Sequence, residues 1–345
     1  MLLLRQDFPC HIFDMSKPAR LLPEQIDVPY QPPRMARANG IDICYDIFGY
    51  SDAEPMMMIM GLGAQLIHWD DDFCRQLAGR GFRVIRFDNR DIGLSSKMAG
   101  GKKFSLYELA KLRFLNIPLE APYKLSDMAT DAVALLDVLH IRKAHVVGAS
   151  MGGMIAQEMA IEYPERLRSL TSIMSTTGDP RLPQPSRQVT LKMLQRQPDG
   201  YEAFIERFKQ TWLFLRVGSF PDDEARDLDR AERTYARGLH SEGVGRQLRA
   251  ILASGSRKDR LTKVTAPTLV IHGKVDPLVH PAAGRDTAAS IPGAKLMMVD
   301  RMGHALPISM WSMVIDAISR HAYGASLQMR APQMREQASE MRRAG

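Results

Sequence analysis

The sequence predicts an α/β fold: a mostly parallel sheet with helices on both faces and a helical segment inserted between two of its strands. Three observations carry that prediction. Short, near-continuously apolar runs alternate with helix-length stretches, the pattern of strands buried on both faces. The alternation stops between about Asp179 and Lys263, where the chain turns Arg-rich and helical, and it resumes at Ala266-Pro267-Thr268. One junction between an apolar strand and a helix reads Gly148-Ala149-Ser150-Met151-Gly152, a serine framed by glycines on a sharp turn.

The elements follow in chain order. Residues 1–34 are rich in proline, carry no clear period and read as an N-terminal arm or leader. The apolar stretch after Met1 is only three residues, far short of the roughly 7–15 of a secretory signal. Asn39-Gly40 is a hairpin signal, and the alternating Ile41-Asp42-Ile43-Cys44-Tyr45-Asp46-Ile47 after it is a half-buried strand. Further strands are expected at Met56–Met60, Arg83–Phe87, Ala144–Val147, Leu167–Met174, Thr268–His272 and Lys295–Val299. Helices are expected at Gln65–Gly79, Ser126–Leu139, Gly153–Tyr163, Pro281–Ser290 and Pro307–His321. The core is thus read as 35–179 plus 263–323, split by a helical lid at 180–262, with a polar tail at 324–345. Within the lid Phe204, Phe208 and Trp212 are four apart and share a helix face, expected to close an apolar pocket.

Composition narrows the classes. Of 345 residues 45% are hydrophobic and 25% charged, which excludes a disordered chain or a disulfide scaffold. No run approaches the ~18 apolar residues of a membrane span. The three cysteines (Cys10, Cys44 and Cys74) have no metal-ligand spacing and suit a reducing compartment, so the cytoplasm is the expected location. The net charge of +7 is concentrated: residues 181–260 hold 16 basic and 11 acidic side chains. These charges are interspersed, without the stripe and aromatic support that nucleic-acid binding needs, and read as solvated surface. The 22 methionines read as adaptable core filler. A homo-oligomer stays open.

Chemistry concentrates at strand ends. Ser150 needs a base, and the base an orienting acid. Among the later histidines, His304 in Asp300-Arg301-Met302-Gly303-His304 follows the last strand at the carboxyl edge of the sheet, where sites form in such folds. Asp276 follows the preceding strand and is the first candidate for the acid, with Asp179 as the alternative. Backbone donors for an oxyanion are expected at Met151, which follows the nucleophile, and at Leu62 in Met60-Gly61-Leu62-Gly63. Gly61 and Trp212 are further candidates for contact with substrate. Asp88 and Arg90 are read as braces for their loop.

Together these segments resemble the α/β-hydrolase fold family over about Arg37 to Tyr323. Met60-Gly61-Leu62-Gly63-Ala64-Gln65, Asp88-Asn89-Arg90-Asp91-Ile92-Gly93-Leu94-Ser95 and Ala266–Gly273 look like its aclacinomycin methylesterase-like serine esterases. Two departures are visible: many relatives carry His-Gly at Met60-Gly61, and glycine at Asp91. The resemblance implies hydrolysis of a small carboxylic ester without cofactor or metal. It places the nucleophile on Ser150, the acid on Asp276, the base on His304 and the oxyanion donors on Leu62 and Met151. Rival readings are lactone opening, carbon–carbon bond hydrolysis or perhydrolysis on the same residues, and a non-catalytic ligand-binding module.

Overall fold

In the computed structural model, which describes residues 26–100, 119–193, 195, 198, 200–217 and 223–344, the apolar runs pair into one eight-stranded sheet. Residues 1–25 of the expected arm, Cys10 among them, lie outside the described residues. The strands are β1 (Tyr30–Ala38), β2 (Ile41–Phe48), β3 (Glu54–Ile59), β4 (Phe82–Phe87), β5 (Ala144–Ala149), β6 (Leu167–Ile173), β7 (Thr268–Gly273) and β8 (Lys295–Val299). Their order is β1-β2-β4-β3-β5-β6-β7-β8. β1 and β2 form an antiparallel hairpin, β2 runs antiparallel to β4, and the rest is parallel. Asn39 and Gly40 both have positive φ (49° and 75°), the backbone a two-residue hairpin turn with right-handed strand twist demands.

Helices α1 (Asp71–Gly79), α2 (Leu125–Val138), α3 (Met151–Glu162), α4 (Arg187–Met193), α5 (Tyr201–Arg216), α6 (Glu224–Ala236), α7 (Ser241–Ser254), α8 (Lys258–Leu261), α9 (Pro281–Ser290) and α10 (Ile308–Ala344) complete the described chain. α2 and α3 cover one face of the sheet, with Met128, Leu135, Ile155 and Met159 packed on Met57 and Val146. α1 and α10 cover the other, with Phe73, Leu77, Val314 and Ile318 packed on Met56, Met58 and Val84. Met56, Met57 and Met58 are fully buried, each favouring the fold by ~1.5–3 kcal/mol of apolar burial.

Three boundaries differ from the sequence reading, each for a local reason. β1 begins at Tyr30, inside the segment read as arm; as an edge strand it tolerates Pro32 and Pro33, which fall at a register shift between Gln31 and Arg34. The helix expected at Gln65–Gly79 is broken into a 3-10 turn (Leu66–His68) and α1, because Trp69 is extended and Asp70 caps α1 through the Asp72 amide (2.9 Å). α10 continues past Tyr323, where the tail was expected to start. Tyr323 packs on Phe82 with ring centroids 5.0 Å apart, and the Ser326 hydroxyl donates to Glu54 (2.6 Å), so core contacts extend beyond Gly324.

The insertion between β6 and β7 is helical, and part of its positive charge is paired instead of solvated. Four of its arginines dock on carboxylates at the start of α1 and in the loop after β4. Arg226 donates to Asp70 (2.7 Å) and Asp72 (2.6 Å), Arg233 to Asp71 (3.2 Å), Arg237 to Asp88 (2.5 Å) and Arg246 to Asp91 (2.7 and 2.9 Å). Ala250 and Leu261 bury in the same cluster as α2 and α3, so α7 and α8 are welded to the core. No helix among the described residues is long and apolar enough to cross a membrane.

Candidate active site

The carboxyl ends of β3, β5, β7 and β8 meet around one cavity. Ser150 stands between β5 and α3 with φ 56° and ψ −121°, a backbone that L-residues rarely adopt. Such strain persists only where neighbours enforce it. Here the Ser150 amide donates to the Ile173 carbonyl (2.9 Å) and the Ser175 hydroxyl donates to the Ser150 carbonyl (2.8 Å). A Cβ on Gly152 would lie 2.0 Å from the Ile59 carbonyl oxygen, so only glycine lets the turn sit this close to β3.

His304, in the loop after β8, bonds Ser150 Oγ through Nε2 at 3.0 Å and Asp276 Oδ2 through Nδ1 at 2.7 Å. Asp276, in the loop after β7, is buried. Its Oδ1 accepts from the amides of Leu278 and Val279, both at 2.8 Å. Burial alone would raise its carboxyl; the His304 and His272 imidazoles and these amides outweigh that and hold it well below the usual carboxylate range. It is therefore an anion facing the imidazole. Asp179, the alternative acid, lines the same cavity but is bound elsewhere, to Arg181 (2.7 Å) and Lys258 (3.2 Å). The Arg181 guanidinium holds it low, and it has no bond to His304.

The His304 loop also rests on the insertion. Its amide donates to the Leu215 carbonyl at the end of α5 (2.7 Å). A side chain at Gly303 would strike that same oxygen.

Gly61 is buried beside Ser150; a Cβ there would lie 3.1 Å from Ser150 Cβ. In the following turn the Gly63 amide is taken by Gln247 Oε1 (2.9 Å) and the Ala64 amide by the Gly61 carbonyl (3.3 Å). The amides of Leu62 and of Met151, the first residue of α3, have no acceptor among the described residues. Both residues line the cavity.

The cavity measures about 920 Å³. Ser150 and His304 lie on its wall together with apolar side chains such as Met154, Met174, Leu215, Ile251 and Trp311. The aromatic face of α5 divides differently from expectation. Trp212 reaches the cavity, whereas Phe204 and Phe208 pack against Ala231 of α6 in a small core of their own. The four-residue spacing defines a face but not which neighbour takes it. His68, also on the wall, is pushed down to about 3 by burial and by nearby Arg230, so its imidazole is neutral. Asp88 and Arg90 each brace a different partner: Asp88 accepts the Leu66 and Leu94 amides, and Arg90 clasps Asp131 (2.6 Å).

The alpha/beta hydrolase fold family model matches residues 54–309. The chain belongs to the α/β-hydrolase fold family. Among the family's characterised members it is 32% identical over 317 residues to rhodomycin D methylesterase of Streptomyces sp. (strain C5), covering 86% of this chain and all of that protein. It is 26% identical to 3-oxoadipate enol-lactonase 2 of Acinetobacter baylyi, covering 72% of this chain and 81% of that one. The fold is similar to the solved meta-cleavage product hydrolase of Pseudomonas fluorescens (TM-score 0.64, 19% identity, 85% of this chain and 98% of that one).

Several residues that shape the site of this α/β hydrolase had escaped the sequence reading. His272, near the end of β7, places Nε2 3.5 Å from Asp276 Oδ2 and donates to the Val279 carbonyl (2.9 Å), bracing Asp276. Its four-residue spacing from Asp276 was the available signal. Arg230 and Gln247 carried none, being two polar residues in an insertion full of them.

Proposed function

We propose that the protein is a serine carboxylic ester hydrolase with Ser150 as nucleophile, His304 as general base and acid, and Asp276 as the orienting acid. The observation that carries this reading is the continuous hydrogen-bonded chain Ser150–His304–Asp276 opening into an apolar cavity. Asp276 accepts the Nδ1 proton, leaving Nε2 with a lone pair toward Ser150 Oγ. Oγ attacks the ester carbonyl while Nε2 takes its proton. The oxyanion is met by the amides of Leu62 and Met151, whose lack of other acceptors supports the assignment. The imidazolium protonates the departing alcohol, and water enters by the same route to release the acid. Gly61 leaves room for the carbonyl beside Ser150, and Trp212 contributes wall.

The rhodomycin D methylesterase relative supports an ester of a small alcohol. A cavity of this size supports an acid part bulkier than a short acyl chain. The enol-lactonase relative favours a second reading, lactone opening on the same residues. We read residues 30–179 and 263–326 as the catalytic core and 180–262 as a lid closing the cavity. Docking of the insertion's arginines on core carboxylates supports a small-molecule substrate over nucleic acid. Cys44 and Cys74, free and buried, support a cytoplasmic site of action.

The test is turnover of p-nitrophenyl esters of graded acyl length and of γ-butyrolactone, with fluorophosphonate labelling mapped by mass spectrometry. Ester turnover with the label on Ser150 is expected. Absence of both turnover and labelling refutes the hydrolase reading, and a lactone preference moves it to the second.

A further inference from the structure

Two hydrogen-bond donors on the cavity wall are left without acceptors. The Trp69 indole N–H is buried with no partner among the described residues. Arg230, on α6, is 12% exposed at its side chain and lines the same cavity. Its guanidinium donates no hydrogen bond to any described residue. Its nearest carboxylates, Asp70 Oδ2 and Asp227 Oδ1, stand 3.8 Å away. Each carboxylate makes its short bond through the other oxygen: Asp70 Oδ1 takes Arg226 at 2.7 Å and Asp227 Oδ2 takes Arg216, while Asp227 Oδ1 itself has no hydrogen-bond partner among the described residues, so the pairing with Arg230 is electrostatic at 3.8 Å. The contrast with its neighbours is sharp, since Arg226, Arg237 and Arg246 all make bonds of 2.9 Å or less. The Arg230 guanidinium is held instead over the Trp212 ring, 5.1 Å from its centroid.

An arginine fork fixed in position with unused donors, in a cavity that is otherwise largely apolar, is a recognition element. Neither Arg230 nor Trp69 bonds Ser150, His304 or Asp276, so the chemistry described above leaves them without a role. We infer that Arg230 and the Trp69 indole N–H form a specificity subsite for an oxygen acceptor on the body of the substrate, separate from the scissile ester. The substrate class is therefore an ester whose apolar acid part also carries a carboxylate or carbonyl oxygen. The Asp70 and Asp227 carboxylates temper the charge of Arg230, so a neutral carbonyl and an anion both satisfy the geometry, and the experiment separates them. A site built around donors discriminates most strongly against the analogue lacking the acceptor, because the donors are then sealed in unpaired.

The inference rests on the hydrolase reading, and the test keeps the two apart. Three methyl esters are compared: methyl 2-naphthoate, its 6-carboxylate and its 6-acetyl derivative. For each, kcat/KM is measured with the full-length protein and Kd with the full-length Ser150→Ala variant. At least one substituted ester is expected to bind with a Kd about ten- to hundredfold lower than the plain one and to exceed it by a similar factor in kcat/KM. That ratio is expected to fall at least threefold in Arg230→Met and in Trp69→Phe. Arg230→Lys keeps the charge but loses the fork, so it is expected to lose the preference for acetyl before that for carboxylate. Fluorophosphonate labelling reports a folded site in each variant carrying Ser150. Equal binding of all three esters within threefold, or ratios unmoved in both Arg230 variants, overturns the subsite. Preferential binding without turnover of any ester upholds the subsite and removes the hydrolase reading instead.

Discussion

Replacing Asp276 by asparagine isolates what its charge and acceptor do, because the shape of the side chain is kept. The direction of the new amide is set by the backbone: the Leu278 and Val279 amides both donate to Oδ1 at 2.8 Å, so that position must stay an oxygen. Turning the amide round would leave two donors facing an NH₂, at ~1–3 kcal/mol for each unpaired donor. The NH₂ therefore occupies the Oδ2 position, 2.7 Å from His304 Nδ1. Nδ1 then becomes an acceptor, the ring proton moves to Nε2, and the nitrogen 3.0 Å from Ser150 Oγ is a donor instead of a base. Restoring the useful tautomer would set two donors against each other and remove the anion that supports the imidazolium. The expected loss in kcat is about 10³–10⁴, or ~4–5.5 kcal/mol of barrier. The assay is steady-state hydrolysis of a p-nitrophenyl ester, with KM and thermal stability followed in parallel. A loss below tenfold in a folded Asp276→Asn protein refutes the reasoning. A larger loss in Asp179→Asn transfers the acid to Asp179.

Arg237→Met removes the partner of a fully buried carboxylate, Asp88, leaving it only the Leu66 and Leu94 amides. Breaking such a pair from one side costs ~3–5 kcal/mol, so a fall in Tm on the order of 10 °C is expected by calorimetry; a shift under 2 °C would show that the docked arginines do not anchor the insertion. Glu54 is held down to about 2 by its bond to His145, with the Ser326 hydroxyl assisting against partial burial. A depressed carboxyl contributes stability above its unfolded pKa and loses it as pH falls through the folded value. Glu54→Gln is thus expected to cost about 1–2 kcal/mol of stability at pH 7 after solvent screening, read as a lower Tm, and the gap to the native protein should close between roughly pH 4 and 2. A gap of constant size down to pH 2 contradicts the assignment.

What the sequence made legible was local in origin. The two-residue turn at Asn39-Gly40, the apolar runs of β3 to β8 and the serine turn at Ser150 each follow from neighbouring residues and their periodicity. His304 and Asp276 could be placed because each closes a strand, and strands of a parallel sheet deliver their ends to one edge. The wall of the cavity was not legible, since it depends on which faces meet. Phe208 and Trp212 share a helix face, yet one packs on α6 and the other reaches the cavity. The positive excess of the insertion gave no hint that its arginines had carboxylate partners more than a hundred residues away. The break at Trp69 likewise follows from a cap that competes with a helical pattern running straight through it.

The bond from the His304 amide to the Leu215 carbonyl joins the His304 loop to the part of α5 that roofs the cavity. Any excursion that lifts the end of α5 to admit a ligand takes away the support of the loop that aims the imidazole. On the proposed reading, opening the roof and disarming Ser150 would be one event, and a cavity flooded by water would hold a serine whose imidazole partner is out of line.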